Sequence, residues 1–354
     1  MAYIEYKQRG KKRLWSFSIR ERSKSLLHKS GFKTKREAKI EAEKVLHKLN
    51  TGSILRSNMT LSELYQEWLD LKILPSSRSE VTKKKYIMRK KVIERLFGDQ
   101  PVSQIKPSEY QKIMNEYGKS ASRNFLGRLN SCIRASIQMA IADKVVIEDF
   151  TAYVDLFSTR SGQKVEEKYL HTESDYQKVL VYLKNKFDYQ KSIVPYVIYF
   201  LFKTGMRFSE LIALTWDDVD EVGEQVKTYR RYNTAIHKFT PPKNNTSIRL
   251  VPITSDMLSL LKTLKMLQLK TNKELNIDNK NNLIFQHFGY AYDVPDIGTV
   301  NKAIKVMLME LEIFPIISTK GARHTYGSYL WHNNIDLGVI AKILGHKDIS
   351  MLVE

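Results

Sequence analysis

Residues 193–216 place a single arginine between two apolar runs. Ile193 to Phe202 (IVPYVIYFLF) is almost wholly apolar, and Leu211 to Trp216 supplies a second set of core-forming side chains. Arg207 lies between them, and a buried guanidinium needs an anionic partner because an unpaired buried charge is very costly. Glu210, three residues on and on the same helical face, is one candidate partner. The alternative is an ordinary surface arginine at the start of a helix.

The charge balance indicates what the chain binds. Its formal net charge is +20 and its isoelectric point is near 9.6, so we expect a polyanion, with nucleic acid ahead of an anionic membrane. No run of 18 or more apolar residues exists and the N-terminus is too charged for a signal peptide. We therefore expect a cytoplasmic protein without membrane contact, associated with the nucleoid when bound. The single cysteine, Cys132, excludes a disulfide framework and a cysteine-rich zinc site.

The first fifty residues hold half of the positive excess, with 15 Lys and Arg against 5 Asp and Glu. Trp15, Phe17 and Ile19 alternate with other side chains, which predicts a strand, and residues 34–37 form a capping box that starts a helix. We expect residues 1–50 to be a basic α+β module whose sheet exposes a basic face. The charge density favours a DNA-binding module over an ordinary α+β module. The side chains expected on DNA here are Lys11, Lys12, Arg13 and Arg20.

Residues 58–156 follow a polar linker at 51–57 and predict a four-helix domain. One helix, VTKKKYIMRKKVIERLFG, has an apolar face of Tyr86, Ile87, Val92, Ile93 and Leu96. Its other face carries the cations that we expect to contact DNA, namely Lys83, Lys84, Lys85 and Arg89. A solvated charged face, which is common on such helices, is the alternative.

After a polar stretch at 157–168, the pattern of residues 169–354 mixes helices with short strands. Thr172 is an expected N-cap, and residues 227–254 predict strands around a turn. The chain closes with two predicted helices, TKGARHTYGSYLWHN and DLGVIAKILGHKDISMLVE. The overall prediction is a multidomain fold, mainly α with small β-sheets, whose last domain is mixed α/β.

Four cationic positions of this last domain stand in local motifs. Arg207 lies in TGMRFSELIALTWDDVD, Lys243 in KNNTSIRLVP, Arg323 in ARHTYGS and His346 in LGH. In this order the motifs resemble those of the tyrosine recombinase (phage integrase) family, and the resemblance extends over essentially the whole chain. It implies an arm-binding domain at 1–50, a core-binding domain at 58–156 and a catalytic domain at 169–354.

The resemblance implies a reaction in which a tyrosine attacks a DNA phosphodiester, forms a phosphotyrosyl link and releases a 5′-hydroxyl. Arg207 and Arg323 would bind the non-bridging oxygens of the transition state, and Glu210 would hold Arg207. Lys243, on a mobile hairpin, would protonate the leaving oxygen, and His346 would hydrogen-bond the phosphate or the nucleophile. The chemistry requires no metal and no cofactor.

One departure from the family pattern lies beside Arg323. Lys320 stands three residues earlier, where the family has histidine. Lysine can donate to a phosphate as histidine does, but it accepts a proton poorly near neutral pH. We expect the adjacent His324 to be a hydrogen-bonded packing residue rather than a substitute, because neighbouring helix positions face different ways.

The other departure concerns the nucleophile. Only KDISMLVE follows His346, and the family's tyrosine position would lie just beyond Glu354. Tyr326 and Tyr329 precede the histidine and do not match that position. We expect a truncated sequence, which should bind DNA without cleaving it.

The expected function is a site-specific DNA recombinase that integrates and excises a mobile element such as a prophage or genomic island. Its expected partners are double-stranded DNA at core and arm sites, copies of itself in a homotetramer on DNA, a host DNA-bending protein and an excisionase. The alternative is a non-catalytic attachment-site DNA-binding protein or autorepressor, which the missing tyrosine favours.

Overall fold

The structure is a computed structural model that describes residues 3–9, 13–21, 24–50, 59–145, 147–160, 162, 164–289 and 292–346. The chain divides into two compact units, Met1–Gly162 and Gln163–Glu354. This division falls inside the polar stretch 157–168. The predicted linker 51–57 and the final residues 347–354 lie outside the described residues.

A three-stranded antiparallel sheet with one helix on its back forms the N-terminal module. Its elements are β1 (Tyr3–Arg9), β2 (Leu14–Glu21), β3 (Lys24–Phe32) and α1 (Lys35–Asn50), and the strands pair in chain order. Phe17 and Ile19 are fully buried against Ala38 of the helix, because alternate side chains of a strand share a face. The predicted capping box is confirmed, since the Thr34 hydroxyl accepts from the Glu37 amide at 3.1 Å.

On the open face of this sheet the described side chains of Lys7 and Arg20 are positive and that of Glu5 is negative, so the basic face stays a prediction. Arg20 lies there, but its Nη1 is 3.4 Å from the carboxylate of Glu5, which also pairs with Lys7 at 2.8 Å. Arg20 can therefore contact a phosphate only by sharing its guanidinium with Glu5. Arg13 is exposed in the turn before β2, and the predicted contacts Lys11 and Lys12 lie outside the described residues.

Four helices form the second part of the same unit, as predicted. They are α2 (Leu61–Trp68), extended by a π turn at Leu69–Ile73, α3 (Glu80–Phe97), α4 (Pro107–Gly118) and α5 (Arg123–Ala142). The Thr60 hydroxyl caps α2 by accepting from the amide of Glu63 at 3.1 Å. Leu64, Ile93 and Ile133, from three of the helices, are fully buried in one core.

Helix α3 packs most of its predicted apolar face against the core, including Ile93, but two positions differ from the prediction. Ile87 is exposed, whereas only 9% of the surface of Arg89 is accessible. The Arg89 guanidinium lies 4.8 Å from the Tyr86 ring centroid, and its Nη1 lies 3.5 Å from the Cys132 sulfur. Arginine can occupy such a position because its aliphatic stem and its planar head both pack on neighbouring side chains. Arg89 therefore does not lie on the solvated cationic face of α3, and its contact with DNA stays a prediction.

The described part of the second unit combines helices with short strands. The helices are α6 (Glu173–Asn185), α7 (Val194–Thr204), α8 (Phe208–Leu211), α9 (Ser255–Leu275), α10 (Ile297–Glu310), α11 (Thr319–His332) and α12 (Leu337–Leu344). The strands are β4 (Val219–Asp220), β5 (Gln225–Thr228), β6 (Arg231–Asn233), β7 (Lys238–Thr240) and β8 (Arg249–Pro252). Helix α7 is buried on nearly all sides, as its apolar sequence predicts.

The strands form two small sheets. One contains β4, β5 and β8, and the other is the hairpin of β6 with β7. Strands β7 and β8, which flank Lys243, do not pair with each other. Lys243 therefore lies in a connection between two sheets and not on the predicted hairpin.

Helix α12 ends ten residues earlier than the predicted helix, which reached Glu354. It stops at Leu344, and Gly345 takes the left-handed conformation with a φ of 65°. Glycine adopts this conformation at little cost, which makes it common just after a helix. His346 is consequently not a helical residue.

Helices predominate over strands in both units, so the predicted mainly α fold with small sheets is confirmed. Across the described ranges, no helix is both long enough and apolar enough to span a bilayer.

Candidate functional site

Arg207 occupies the junction between α7 and α8, where the apolar run ends. Gly205 closes α7 with a φ of 60°, and Arg207 follows in extended conformation as the N-cap of α8. Glu210 reaches back from the turn, and its carboxylate accepts from the Arg207 amide at 3.2 Å and from Nη1 at 2.8 Å. The predicted pairing of Arg207 with Glu210 is confirmed.

Glu210 also binds a second arginine. Its Oε2 accepts from Nη2 of Arg249 at 3.1 Å, and the Glu210 side chain is fully buried. Burial by itself raises the pKa of the Glu210 carboxyl, but the charges of Arg249 and Arg207 outweigh it and hold the pKa below its usual value. Glu210 is therefore an ionised carboxylate shared by two guanidinium groups.

Arg249 connects β8 to the end of α12. Its Nε donates to the carbonyl of Ile343 at 2.6 Å, and its Nη1 donates to the carbonyl of Ser247 at 3.2 Å. The side chain is only 7% exposed. Burial lowers the pKa of Arg249, and the Glu210 carboxylate opposes that shift.

Arg323 projects from α11 into the same region. Its Nη1 donates to the carbonyl of Gly205 at 2.8 Å, and its Nη2 donates to the carbonyl of Leu344. Burial, followed by repulsion from Arg207 and Arg249, lowers the pKa of Arg323 to about 9. The guanidinium stays protonated at neutral pH, and within the described ranges it forms no ion pair.

The backbone at Gly345 approaches the cluster closely. Its carbonyl accepts from Nη2 of Arg207 at 3.5 Å and from the Thr246 hydroxyl at 3.4 Å. A Cβ atom at this position would lie 2.7 Å from the Thr246 carbonyl and 2.9 Å from Nη1 of Arg249. Glycine in the LGH motif thus meets two requirements, a left-handed turn and close contact.

The cluster carries more positive than negative charge. Arg207, Arg249 and Arg323 surround one carboxylate, Glu210, which leaves a surplus of two positive charges. Arg207 is the accessible member, with 25% of its side chain exposed. A surplus of guanidinium charge in a partly buried site favours a bound anion, and phosphate oxygens match guanidinium geometry.

His346 lies beside these arginines as a partly buried, neutral imidazole. Burial, then the charges of Arg323 and Arg207, lower the pKa of His346 to about 4. Its Nδ1 is buried and has no hydrogen-bond partner in the described part of the chain. A neutral imidazole donates from one ring nitrogen and accepts at the other, so His346 can bond an oxygen of a bound anion.

A cavity of about 760 Å³ lies next to the cluster. Arg323 and His346 line it together with Lys320 and His324 of α11. His324 is exposed there and makes no hydrogen bond with a described residue, so the prediction of a hydrogen-bonded packing residue is wrong. Lys320 lies four residues before His324, so the two side chains share a face of α11. Both line the cavity.

Lys243 is not brought to the cluster. It is exposed, forms no ion pair or hydrogen bond with a described residue, and does not line the cavity. It lies four residues before Ser247, whose hydroxyl accepts from Nη1 of Arg207 at 3.4 Å. The connection between β7 and β8 thus leads from the lysine to the arginine cluster.

Tyr326 and Tyr329 of α11 are packing residues. Tyr326 is 8% exposed and packs against Gly205, and burial raises its pKa to about 12. Tyr329 stacks on Tyr176 with ring centroids 4.5 Å apart. Neither phenol is placed to act as a nucleophile.

Arg249, Gly205 and Gly345 are the site residues whose positions the sequence did not reveal. The sequence did contain a sign that Arg249 faces the protein interior. It stands two residues before the apolar Val251 in β8, and alternate residues of a strand share a face. Val251 is fully buried, so its partner position faces the protein interior too.

Two family profiles match the chain. Residues 171–354 match the phage integrase family, and residues 60–117 match the N-terminal SAM-like domain of phage integrases. The first match alone covers just over half of the chain.

Two curated relatives illustrate the similarity along the chain. A XerC-like tyrosine recombinase of Caldanaerobacter subterraneus subsp. tengcongensis is 24% identical over 357 residues, which cover 94% of this chain and 88% of that protein. The transposase from transposon Tn916 of Enterococcus faecalis is 25% identical over 325 residues, which cover 89% of this chain and 78% of that protein.

Two solved structures share the fold. The integrase of transposon Tn1549, in complex with circular intermediate DNA, matches with a TM-score of 0.64 at 18% identity and covers 83% of this chain and 94% of that one. A lambda integrase dimer bound to a COC′ core site matches with a TM-score of 0.61 at 16% identity and covers 99% and 93%.

Proposed function

This chain belongs to the phage integrase family, and on that premise we propose that it is a site-specific DNA recombinase that integrates and excises a mobile element such as a prophage or genomic island. A tyrosine oxygen attacks the scissile phosphorus, the bond from phosphorus to the 5′ oxygen breaks, and the strand leaves as a 5′-hydroxyl. The hydroxyl of a second strand later attacks the phosphotyrosyl link and releases the tyrosine.

The surplus of two positive charges around Glu210 is the observation that carries this proposal. Negative charge accumulates on the non-bridging oxygens as phosphorus becomes five-coordinate, and Arg207 and Arg323 bind those oxygens. The Nη2 of Arg207 is 3.5 Å from the Gly345 carbonyl oxygen, and this long hydrogen bond can be exchanged for one to a phosphate oxygen. Glu210 holds the other side of the same guanidinium at 2.8 Å.

The remaining predicted residues act around the phosphate. Lys243, exposed and unpaired within the described ranges, protonates the leaving 5′ oxygen once its connection folds over the DNA. His346 hydrogen-bonds a non-bridging oxygen as a neutral imidazole. Lys320, on the cavity wall beside Arg323, donates to the phosphate.

The four-helix domain supplies a basic cavity for DNA. The cavity has a volume of about 690 Å³, and its basic wall consists of Lys85, Arg89, Arg123 and Arg128 of helices α3 and α5. The Nε of Arg89 is buried without a partner in the described part of the chain. Exposed Lys84 adds charge nearby, whereas Lys83 is 17% exposed and paired with Glu80 at 3.3 Å. Residues 1–50 bind arm-type sites, with Lys11, Lys12, Arg13 and Arg20 among the contacts.

We propose that the protein works as a homotetramer on core sites, in the cytoplasm, aided by a host DNA-bending protein and an excisionase. Support for the tetramer comes from lambda integrase, which has been solved as a tetramer bound to a Holliday junction. Support for DNA as the partner comes from the net charge of +20.

The test is a suicide substrate, a duplex of the element's end junction nicked beside the cleavage position so that cleavage cannot be reversed. The full-length gene product should form a covalent protein–DNA adduct on it, and Arg207→Ala should not. Specific binding without any adduct would favour the alternative function of a non-catalytic attachment-site protein.

A further inference from the structure

The proposed reaction needs a proton acceptor at the attacking phenol. As the phenol oxygen bonds to phosphorus, its proton must pass to a group with a free lone pair. The protonated lysines and arginines of the site have none. On the described cavity wall, the side chains that can take up a proton near neutral pH are the imidazoles of His324, His332 and His346.

Two of these three imidazoles have other contacts or another role. His332 lies two helical turns beyond His324, and its Nδ1 is 2.7 Å from the carbonyl oxygen of Ser328. His346 lies among the arginines, where the proposed function uses it to bond a phosphate oxygen. His324 makes no hydrogen bond with a described residue and is exposed into the cavity.

The turn that carries His324 is held firmly against the chain segment before α6. A Cβ atom on Gly321 would lie 2.7 Å from the carbonyl of Lys168, which shows how closely this segment approaches α11. The amide of Leu170 donates to the hydroxyl of Thr325 at 3.0 Å, and this side chain is buried. The backbone of the turn that carries His324 is thus held in place on both sides, at Gly321 and at Thr325.

We infer that His324 accepts the proton of the attacking tyrosine, an inference that rests on the proposed recombinase function. The phenol oxygen bonds to phosphorus while its proton moves to the imidazole. The bond from phosphorus to the 5′ oxygen breaks while that oxygen takes a proton from Lys243. Lys320, one helical turn before His324, donates a hydrogen bond to the phosphate. Two side chains on one face of α11 thus have different roles: Lys320 donates to the phosphate and His324 accepts the proton of the phenol.

The charges that face His324 favour its neutral form. They come from Lys320 and Arg323 on α11 and from Lys168 before α6, and the half-buried ring of His346 follows α12 on the same cavity wall. Part of the His324 ring is open to the cavity, but desolvation by the surrounding protein atoms, then the charges of Arg323, Lys168 and Lys320, lower its pKa below the usual value. The ring is consequently ready to accept a proton at neutral pH.

The test separates proton acceptance from proton donation with two suicide substrates. One carries the normal 5′ oxygen at the scissile bond and the other carries sulfur there, because a thiolate leaves without needing a proton. His324→Gln should slow covalent adduct formation by about 100-fold or more on both substrates. Lys243→Ala should be slow on the oxygen substrate and recover on the sulfur substrate. His332→Gln, on the same cavity wall, is the matched control and should stay within about threefold of wild type.

A second pair of measurements asks whether the imidazole itself matters. The double variant Lys320→His/His324→Gln places a histidine one helical turn earlier on the same face of α11. Its cleavage rate should be at least about tenfold higher than that of His324→Gln. The wild-type rate should fall as the pH drops through the pKa of His324, and this fall should be missing from His324→Gln. Both readouts depend on proton transfer and not on packing alone.

The outcomes distinguish the two proposals. If a wild-type protein that includes the attacking tyrosine forms no adduct with either substrate, the recombinase function is wrong. If wild type cleaves and His324→Gln cleaves within about threefold of it, only the inference is wrong. Recovery of His324→Gln on the sulfur substrate would also overturn the inference, because it would make His324 a proton donor.

Discussion

Glu210 and Arg249 form a buried ion pair in which Oε2 lies 3.1 Å from Nη2 and neither side chain is more than 7% exposed. The same carboxylate holds Arg207 at 2.8 Å. One buried charge therefore positions an arginine of the loop after α7 and an arginine of β8, and β8 in turn contacts the end of α12 through the Ile343 carbonyl.

Glu210→Gln should destabilise the second unit strongly. The substitution keeps the shape but leaves two guanidinium groups without their carboxylate, and breaking a buried pair in this way costs about 3–5 kcal/mol. The free energy of unfolding from denaturant titrations measures it. Glu221→Gln is the matched control, because Glu221 pairs with Lys262 at 3.0 Å on the surface, where such pairs contribute about 1 kcal/mol or less. Equal losses of stability in the two variants would show that the buried ion pairs of Glu210 contribute no more than a surface ion pair.

Arg207→Ala should reduce DNA cleavage by about 100- to 1,000-fold while binding to the core site changes little, since the interaction matters most in the transition state. A substrate with an uncharged methylphosphonate at the scissile position should depend far less on Arg207, because the charge that the guanidinium neutralises is absent. Suicide-substrate rates and gel-shift affinities are the measurements. A similar loss on both substrates would argue against a phosphate contact.

His346 should make the folded protein less stable as the pH falls. The folded-state pKa of His346 is about 4, against 6.5 for the free side chain, so the unfolded chain binds more protons between these values. Stability linked to His346 is therefore complete above pH 6.5 and declines as the pH falls towards about 4. The melting temperature of wild type, relative to that of His346→Gln, should therefore fall as the pH drops from 6.5 to about 4. Parallel curves would contradict the assignment.

Gly205→Ala should destabilise the second unit, whereas Gly127→Ala should not destabilise the first. Gly205 has a φ of 60°, and a Cβ atom there would lie 2.5 Å from Cδ2 of Leu344 and 2.6 Å from Cδ1 of Tyr326. A loss of about 1–3 kcal/mol or more is expected from strain and overpacking. Gly127→Ala is the control, because Gly127 is inside α5 with open space around it, and alanine there should stabilise the helix by about 0.5–1 kcal/mol. Chemical denaturation of both variants decides the matter.

The salt dependence of DNA binding should identify which lysines of α3 reach phosphates. Lys85→Ala should weaken binding and reduce the slope of log affinity against log salt by about one, since one fewer counterion is released. Lys83→Ala should change the slope little, because Lys83 is mostly buried and paired with Glu80. Fluorescence anisotropy over a range of salt concentrations gives both slopes. Identical slopes for the two variants would mean that α3 does not contact the DNA through this side.

The sequence predicted best the contacts between residues that are close together in the chain. The capping boxes at Thr34 and Thr60 and the pairing of Arg207 with Glu210 all join residues three positions apart, so their geometry follows from one helical turn. The long amphipathic helices were predictable for the same reason. The resemblance of the local motifs to those of the family also pointed to His346 and Arg323.

What the sequence did not predict depends on distant partners. Arg89 is buried because Tyr86 and Cys132 accommodate it, and Cys132 belongs to another helix. The pairing of β5 with β8, rather than of β7 with β8, joins strands that have a whole hairpin between them. The role of Arg249 requires the Ile343 carbonyl, 94 residues later in the chain. His324 reaches the cavity because the wall is completed by residues before α6 and after α12.

The long sequence separations inside the arginine cluster also set an order of events during translation. Arg323 binds the carbonyl of Gly205, made 118 residues earlier, and Arg207 binds the carbonyl of Gly345, made 138 residues later. The helical domain, by contrast, is complete once residue 160 has left the ribosome. A nascent chain can therefore fold its first unit long before the cluster closes, and every incomplete translation product that ends before Gly345 lacks the assembled site. Interrupted synthesis accordingly releases chains without the arginine cluster that is proposed to bind the phosphate.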